Sequence, residues 1–125
     1  MKLVKKSLIS LCLAALFAAS LDGCPSPSGG GNGVSSVNGA EAHRLVSGGA
    51  TLVDVRTPEE FASGHAEGAR NIPVDDLDAR RSELSRDKVI VVYCASGARS
   101  ARAASMLAHA GFRVRDLGTL DAWNR

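Results

Sequence analysis

Residues 89–100 read Val-Ile-Val-Val-Tyr-Cys-Ala-Ser-Gly-Ala-Arg-Ser, and the reading of this stretch decides the fold. From Val89 to Tyr93 every position is apolar or aromatic, with no polar residue in alternation. Side chains of a β-strand point to opposite faces in turn, so an unbroken apolar run fits a strand buried on both faces. That is the situation of a central strand in a parallel sheet. Cys94 follows, then Ala95-Ser96-Gly97-Ala98, a connection without bulky side chains. Residues 99–110 then place Ala104, Leu107 and Ala108 at helical spacing, and Gly111 stops the helix.

The same alternation extends in both directions. Asn38 followed by Glu41 caps a helix ending near Ser47, where Gly48-Gly49 stops it. Residues 51–55 form a short apolar strand. Thr57-Pro58-Glu59-Glu60 begins another helix, with Thr as cap, Pro in the first turn and Glu reaching back, and Gly64 ends it. Residues 69–72 predict a strand closed by Pro73, and residues 75–81 a helix with acids at its start. Residues 113–116 predict a last strand and residues 119–124 a last short helix. Strand–helix alternation with short connections predicts an α/β domain over 37–125, a small open parallel sheet with helices on both faces.

The first 36 residues differ in kind. Lys2, Lys5 and Lys6 precede an apolar stretch from Leu8 to Leu21, too short to cross a hydrocarbon core as a helix, which takes about 20 residues. Residues 1–23 are therefore expected to be a signal peptide. Leu21-Asp22-Gly23-Cys24 resembles the cleavage site of bacterial lipoproteins, although Asp22 stands where a small uncharged residue is usual. The resemblance implies lipidation of Cys24 and an exported, membrane-anchored protein facing the periplasm or cell exterior. Ordinary cleavage nearby, with Ala18 and Ser20 as the flanking small pair, is the alternative. Residues 24–36, which include Pro25-Ser26-Pro27-Ser28 and Gly29-Gly30-Gly31, are expected to be a flexible tether.

Three lysines against Asp22 account for the whole formal charge of +2, and the rest of the 125-residue chain carries 12 basic and 12 acidic groups. A neutral remainder with one Tyr and one Trp does not fit nucleic-acid binding, which calls for a basic stripe with aromatics. Of three cysteines, Cys12 leaves with the leader and Cys24 is the lipid acceptor, so Cys94 is the leftover thiol. No second cysteine stands at metal-ligand spacing and His43, His65 and His109 are scattered, so no metal is expected.

Ligands of open α/β sheets bind beyond the carboxyl ends of strands, where Cys94 lies. The small residues after it let backbone N–H groups converge at the following helix N-terminus, a cradle for an anion that favours a thiolate. Arg99 adds a permanent positive charge to the same loop. A buried, inert strand-end cysteine is the competing reading.

Leu52-Val53-Asp54-Val55-Arg56, Pro58-Glu59-Glu60-Phe61, Gly64-His65, Gly68-Ala69 and Asn71-Ile72-Pro73 together resemble the N-terminal signature of the rhodanese family. Cys94-Ala95-Ser96-Gly97-Ala98-Arg99-Ser100 resembles its active-site loop, and Gly111-Phe112, Leu117-Gly118 and Trp123 its C-terminal signature. The resemblance implies a single-domain sulfurtransferase working through a Cys94 persulfide, without metal or organic cofactor. Its partners would be a small sulfur-donor anion such as thiosulfate and a thiol or cyanide acceptor. Cys94 and Arg99 would be catalytic, while Ala95, Ser96, Gly97, Ala98 and Ser100 would bind substrate; Ser100 has a role in starting the helix as its alternative. Related phosphatases and arsenate reductases carry one residue more between Cys and Arg, and Ser100 stands where their Arg would be. Asp54 and Arg56 are expected to tie loops around the site, His65 and His109 to serve helix ends, and Trp123 to lie in the core. Thr119 replaces a frequent Gly and the chain stops soon after Trp123, which predicts a more open approach to the thiol. A non-catalytic sulfur-carrier or partner-binding module and a thiol redox sensor are the alternatives.

Overall fold

The computed structural model describes residues 34–125, so the expected leader, Cys24 and residues 25–33 lie outside the described residues. Five strands alternate with helices: β1 (Ser35–Ser36), α1 (Gly39–Ser47), β2 (Thr51–Asp54), α2 (Pro58–Ser63), β3 (Arg70–Asn71), α3 (Leu77–Arg80), β4 (Ile90–Cys94), α4 (Ala98–His109), β5 (Val114–Thr119) and α5 (Leu120–Trp123). All neighbouring strands pair in parallel, in the order β1-β5-β4-β2-β3. The expected fold class, an open parallel α/β sheet, is the one found.

The apolar run explains why β4 is central. Ile90, Val92 and Cys94 face the layer containing Ala103, Ala104 and Leu107 of α4 together with Leu77 of α3. Val91 and Tyr93 face the layer containing Ala42 of α1 and Trp123 of α5. All five residues of β4 have no exposed surface. Burying the three β-branched side chains among them is worth roughly 5–9 kcal/mol, comparable to the whole net stability of a small domain. A charged residue at Ile90, Val91 or Val92 would therefore threaten the fold.

Local signals place the remaining elements. The Asn38 side chain accepts the Glu41 N–H at 2.9 Å and starts α1. In α2 the capping box is complete, with Thr57 Oγ1 accepting from Glu60 N–H and the Glu60 carboxylate accepting from Thr57 N–H. The differences from the sequence reading have physical causes. Ser35–Ser36 fall in the expected tether, yet they pair with Arg115 and Asp116 through backbone alone, which no apolar pattern announces. The helix expected over 75–81 is α3 flanked by 3-10 turns at Val74–Asp76 and Arg81–Glu83, with Val74 and Leu77 its only buried side chains. Strand β5 runs on to Thr119 because Gly118, at φ +86°, absorbs a register shift opposite Val92 and Tyr93.

Candidate functional site

Strand β4 ends on Cys94 at the carboxyl edge of the sheet, beside Thr119 of β5. The backbone then turns into α4 through Gly97, whose φ of +97° lies in the left-handed region that favours glycine. That conformation aims the Gly97 N–H at Cys94 Sγ, 2.9 Å away, so a backbone donor can hold negative charge on the sulfur. Ala95, Ser96 and Ala98 are exposed above a Cys94 that is itself fully buried. Thr119 caps α5 by accepting the Ala122 N–H at 3.1 Å, a bond that glycine could not supply.

Ser100, expected to bind substrate, faces inward. It is completely buried and its hydroxyl donates toward Gly97 O (3.0 Å) and Gly118 O (3.2 Å). Its single proton thus ties the start of α4 to β5, leaving no donor for a ligand. Arg99 does lie at the loop, but its guanidinium is engaged by Glu60 through Nη1–Oε1 at 2.7 Å and Nη2–Oε2 at 3.0 Å. Hydrogen bonds from Arg99, reinforced by the Thr57 N–H, hold the Glu60 carboxyl down at about 2. The sequence reading assigned Glu60 only to the cap of α2. Nothing in the local sequence pairs it with a residue 39 positions away.

Beneath this pair lies a second polar assembly. Buried Asp54 accepts from Arg56 Nε (3.0 Å), Nη2 (2.6 Å) and backbone N–H (2.9 Å), and from the Tyr93 hydroxyl (2.8 Å). Arg56 Nη2 also donates to Gly64 O, and Asn71 Nδ2 donates to the carbonyls of Asp54 and Arg56. The Tyr93 hydroxyl accepts the Ala66 N–H at 3.0 Å. Burial pushes the Tyr93 phenol up to about 12, and the Asp54 carboxylate raises the Arg56 guanidinium further. A buried charge pair persists when its remaining hydrogen-bond capacity is filled, and among the described residues no buried side-chain polar atom lacks a partner. Asp54 and Arg56 therefore hold segments 56–66 and 70–71 around the end of β4, as expected.

The other marked residues also serve structure. His65 Nδ1 bonds Phe61 O at 2.9 Å while its ring stacks on Phe61, and His109 Nδ1 bonds Ser105 O at 2.8 Å. Trp123 packs in the α1–α5 layer, covered by His43. A surface cleft of about 450 Å³ at the opposite end of the sheet, lined by residues such as Arg44, Lys88 and Arg113, contains no thiol, hydroxyl or imidazole. Among the described residues the free thiol is Cys94.

Known proteins resemble this chain in sequence and in fold. Residues 38–125 match the rhodanese-like domain family. Thiosulfate sulfurtransferase 16 of Arabidopsis thaliana, a chloroplast protein, is 42% identical over 103 residues, covering 71% of this chain and 86% of its own. Protein YqhL of Bacillus subtilis is 50% identical over 58 residues, and that match spans 46% of each chain. The crystal structure of a rhodanese-related protein from Thermoplasma volcanium superposes with a TM-score of 0.66 at 33% identity, over 72% of this chain and 90% of that one. With the family match running from the cap of α1 to the last residue, the chain belongs to the rhodanese-like domain family.

Proposed function

We propose that the domain is a sulfurtransferase that carries a sulfane sulfur on Cys94. The observation that carries this reading is the Gly97 N–H aimed at Cys94 Sγ at the head of α4. The Cys94 thiolate attacks the outer sulfur of a donor such as thiosulfate. The donor's S–S bond breaks, sulfite leaves with the bonding pair, and a Cys94 persulfide remains. A thiolate or cyanide acceptor then attacks the outer sulfur, and the electron pair of the broken bond returns to Cys94. Both steps balance without an external oxidant. Backbone N–H groups of the loop stabilise the persulfide anion. Because Cys94 is fully buried, the loop over 95–98 yields to admit the donor, and its small side chains keep that movement cheap.

The test is to incubate the protein with thiosulfate, weigh it, then add cyanide, with Cys94→Ser as control. One added sulfur atom on wild type only, released as thiocyanate, is expected. No added sulfur on wild type from thiosulfate or from a monoanionic thiosulfonate overturns the reading. The lysine-led leader and Cys24 support placing this activity outside the cytoplasm on a lipid anchor. Cys24→Ser is then expected to move the protein out of the membrane fraction, and an unchanged distribution counts against the anchor.

A further inference from the structure

We propose that Glu60 sets the donor charge this site accepts. By holding Arg99 in a two-bond ion pair, it keeps the mouth of the Cys94 cradle electrically neutral. Sulfane donors of low charge, such as organic persulfides and thiosulfonate monoanions, are favoured over dianions such as thiosulfate. This inference rests on the sulfurtransferase reading and specifies its substrate class.

The charges around the mouth cancel in pairs. Arg56 faces Asp54 at 2.6 Å, Arg99 faces Glu60 at 2.7 Å, and Arg102, one turn further along α4, faces Asp75 at 3.2 Å. Glu59 and Asp76, on the neighbouring segments, are exposed acids. A donor approaching Cys94 therefore meets backbone N–H groups but no unmatched arginine among these three. Glu60 is not free to swing away, since the Thr57 N–H and hydroxyl donate to its Oε1 at 3.3 and 3.2 Å. Segment 56–66 is in turn fixed by Arg56 on Asp54 and Gly64. With its carboxyl held at about 2, Glu60 stays ionised across any working pH, so the cancellation is permanent. Arg99 and Glu60 are each 34% exposed, so the pair is partly solvated beside the Cys94 loop. Across a few ångströms in such a half-solvated setting, releasing one positive charge is worth about three- to tenfold per unit of donor charge.

The experiment measures persulfide formation on the full chain with two donors, thiosulfate (dianion) and benzenethiosulfonate (monoanion), and takes the ratio of their kcat/KM values. Glu60→Gln is expected to raise the thiosulfate-to-benzenethiosulfonate ratio by about three- to tenfold, mainly through a lower KM for thiosulfate. Glu60→Asp, which retains the charge, is expected to keep the wild-type ratio. A merely structural role for Glu60 would slow both donors together. An unchanged or lowered ratio in Glu60→Gln overturns the proposal. Should Glu60→Gln fail to fold, Arg99→Gln must lower the ratio, and an unmoved ratio there overturns it equally. Failure of both donors to load wild-type Cys94 sinks the sulfurtransferase reading and this inference with it. Normal loading with an unmoved ratio sinks the charge role alone.

Discussion

Replacing Tyr93 by phenylalanine removes one oxygen atom from the buried end of β4 and leaves the packing of the ring in place. That oxygen donates to Asp54 Oδ2 at 2.8 Å and accepts the Ala66 N–H at 3.0 Å. Asp54 retains its bonds from Arg56, so its loss is of the order of 0.5–1 kcal/mol. Ala66 is 2% exposed, and its N–H is left without a partner at about 1–3 kcal/mol. The variant is therefore expected to lose about 2–3 kcal/mol, seen as a lower urea midpoint at unchanged slope and a Tm drop of roughly 10–20 °C. Fluorescence of Trp123, the single tryptophan, reports the transition. The pH dependence supplies an independent check. Burial pushes the Tyr93 phenol up from 10 to about 12, so the folded chain keeps a proton that the unfolded chain releases. Stability linked to this group is fully present below pH 10 and is lost as pH rises towards 12. Tyr93 is the only tyrosine, so phenolate absorbance reads it directly, and Tyr93→Phe lacks this alkaline component. A phenol titrating near 10 in the folded protein, or a cost below about 0.5 kcal/mol, would refute the reasoning.

Ser100→Ala is expected to cost about 1–2 kcal/mol in urea unfolding and to leave donor KM within about twofold, because the hydroxyl binds two carbonyls rather than substrate. A KM raised tenfold at unchanged stability would restore the substrate-binding role expected from sequence. Gly97→Ala places a Cβ at a positive φ, costing about 1–2 kcal/mol, and turns the N–H from the sulfur. Loading of Cys94 should slow about ten- to hundredfold, measured by intact mass against time, and an unaltered rate would contradict the cradle. Glu60, depressed to about 2, contributes stability present above pH 4.5 and lost as pH falls towards 2. Acid titration of Glu60→Gln should lack that component, and identical acid profiles would deny it.

What was legible in the sequence was what short-range chemistry dictates. An unbroken apolar run can be satisfied only between two layers, so β4 followed from residues 89–93 and the parallel sheet from the strand–helix alternation around it. Thr57, Pro58 and Glu60 fix the start of α2 within one helical turn, and the cap found is the cap read. The cysteine at the strand end and the small loop after it were legible for the same reason. Features that depend on distant pairing were not. Strand β1 is two serines whose partner lies 80 residues away. The inward turn of Ser100 depends on Gly118 O, and the neutralisation of Arg99 on Glu60, contacts that only the folded chain creates. The burial of Cys94 was one of two readings of the sequence, and it follows from how β5 and α4 close over the strand end.

The two-residue strand β1 also orients the domain. Ser35 pairs with Arg115 at the beginning of β5, whereas Cys94 pairs with Thr119 at its end, roughly 13 Å further along the strand direction. In an all-parallel sheet these are opposite poles. The polypeptide before Val34 thus joins the domain at the pole away from the sulfur. The mouth above Cys94 therefore faces away from the end of the domain at which Val34 enters.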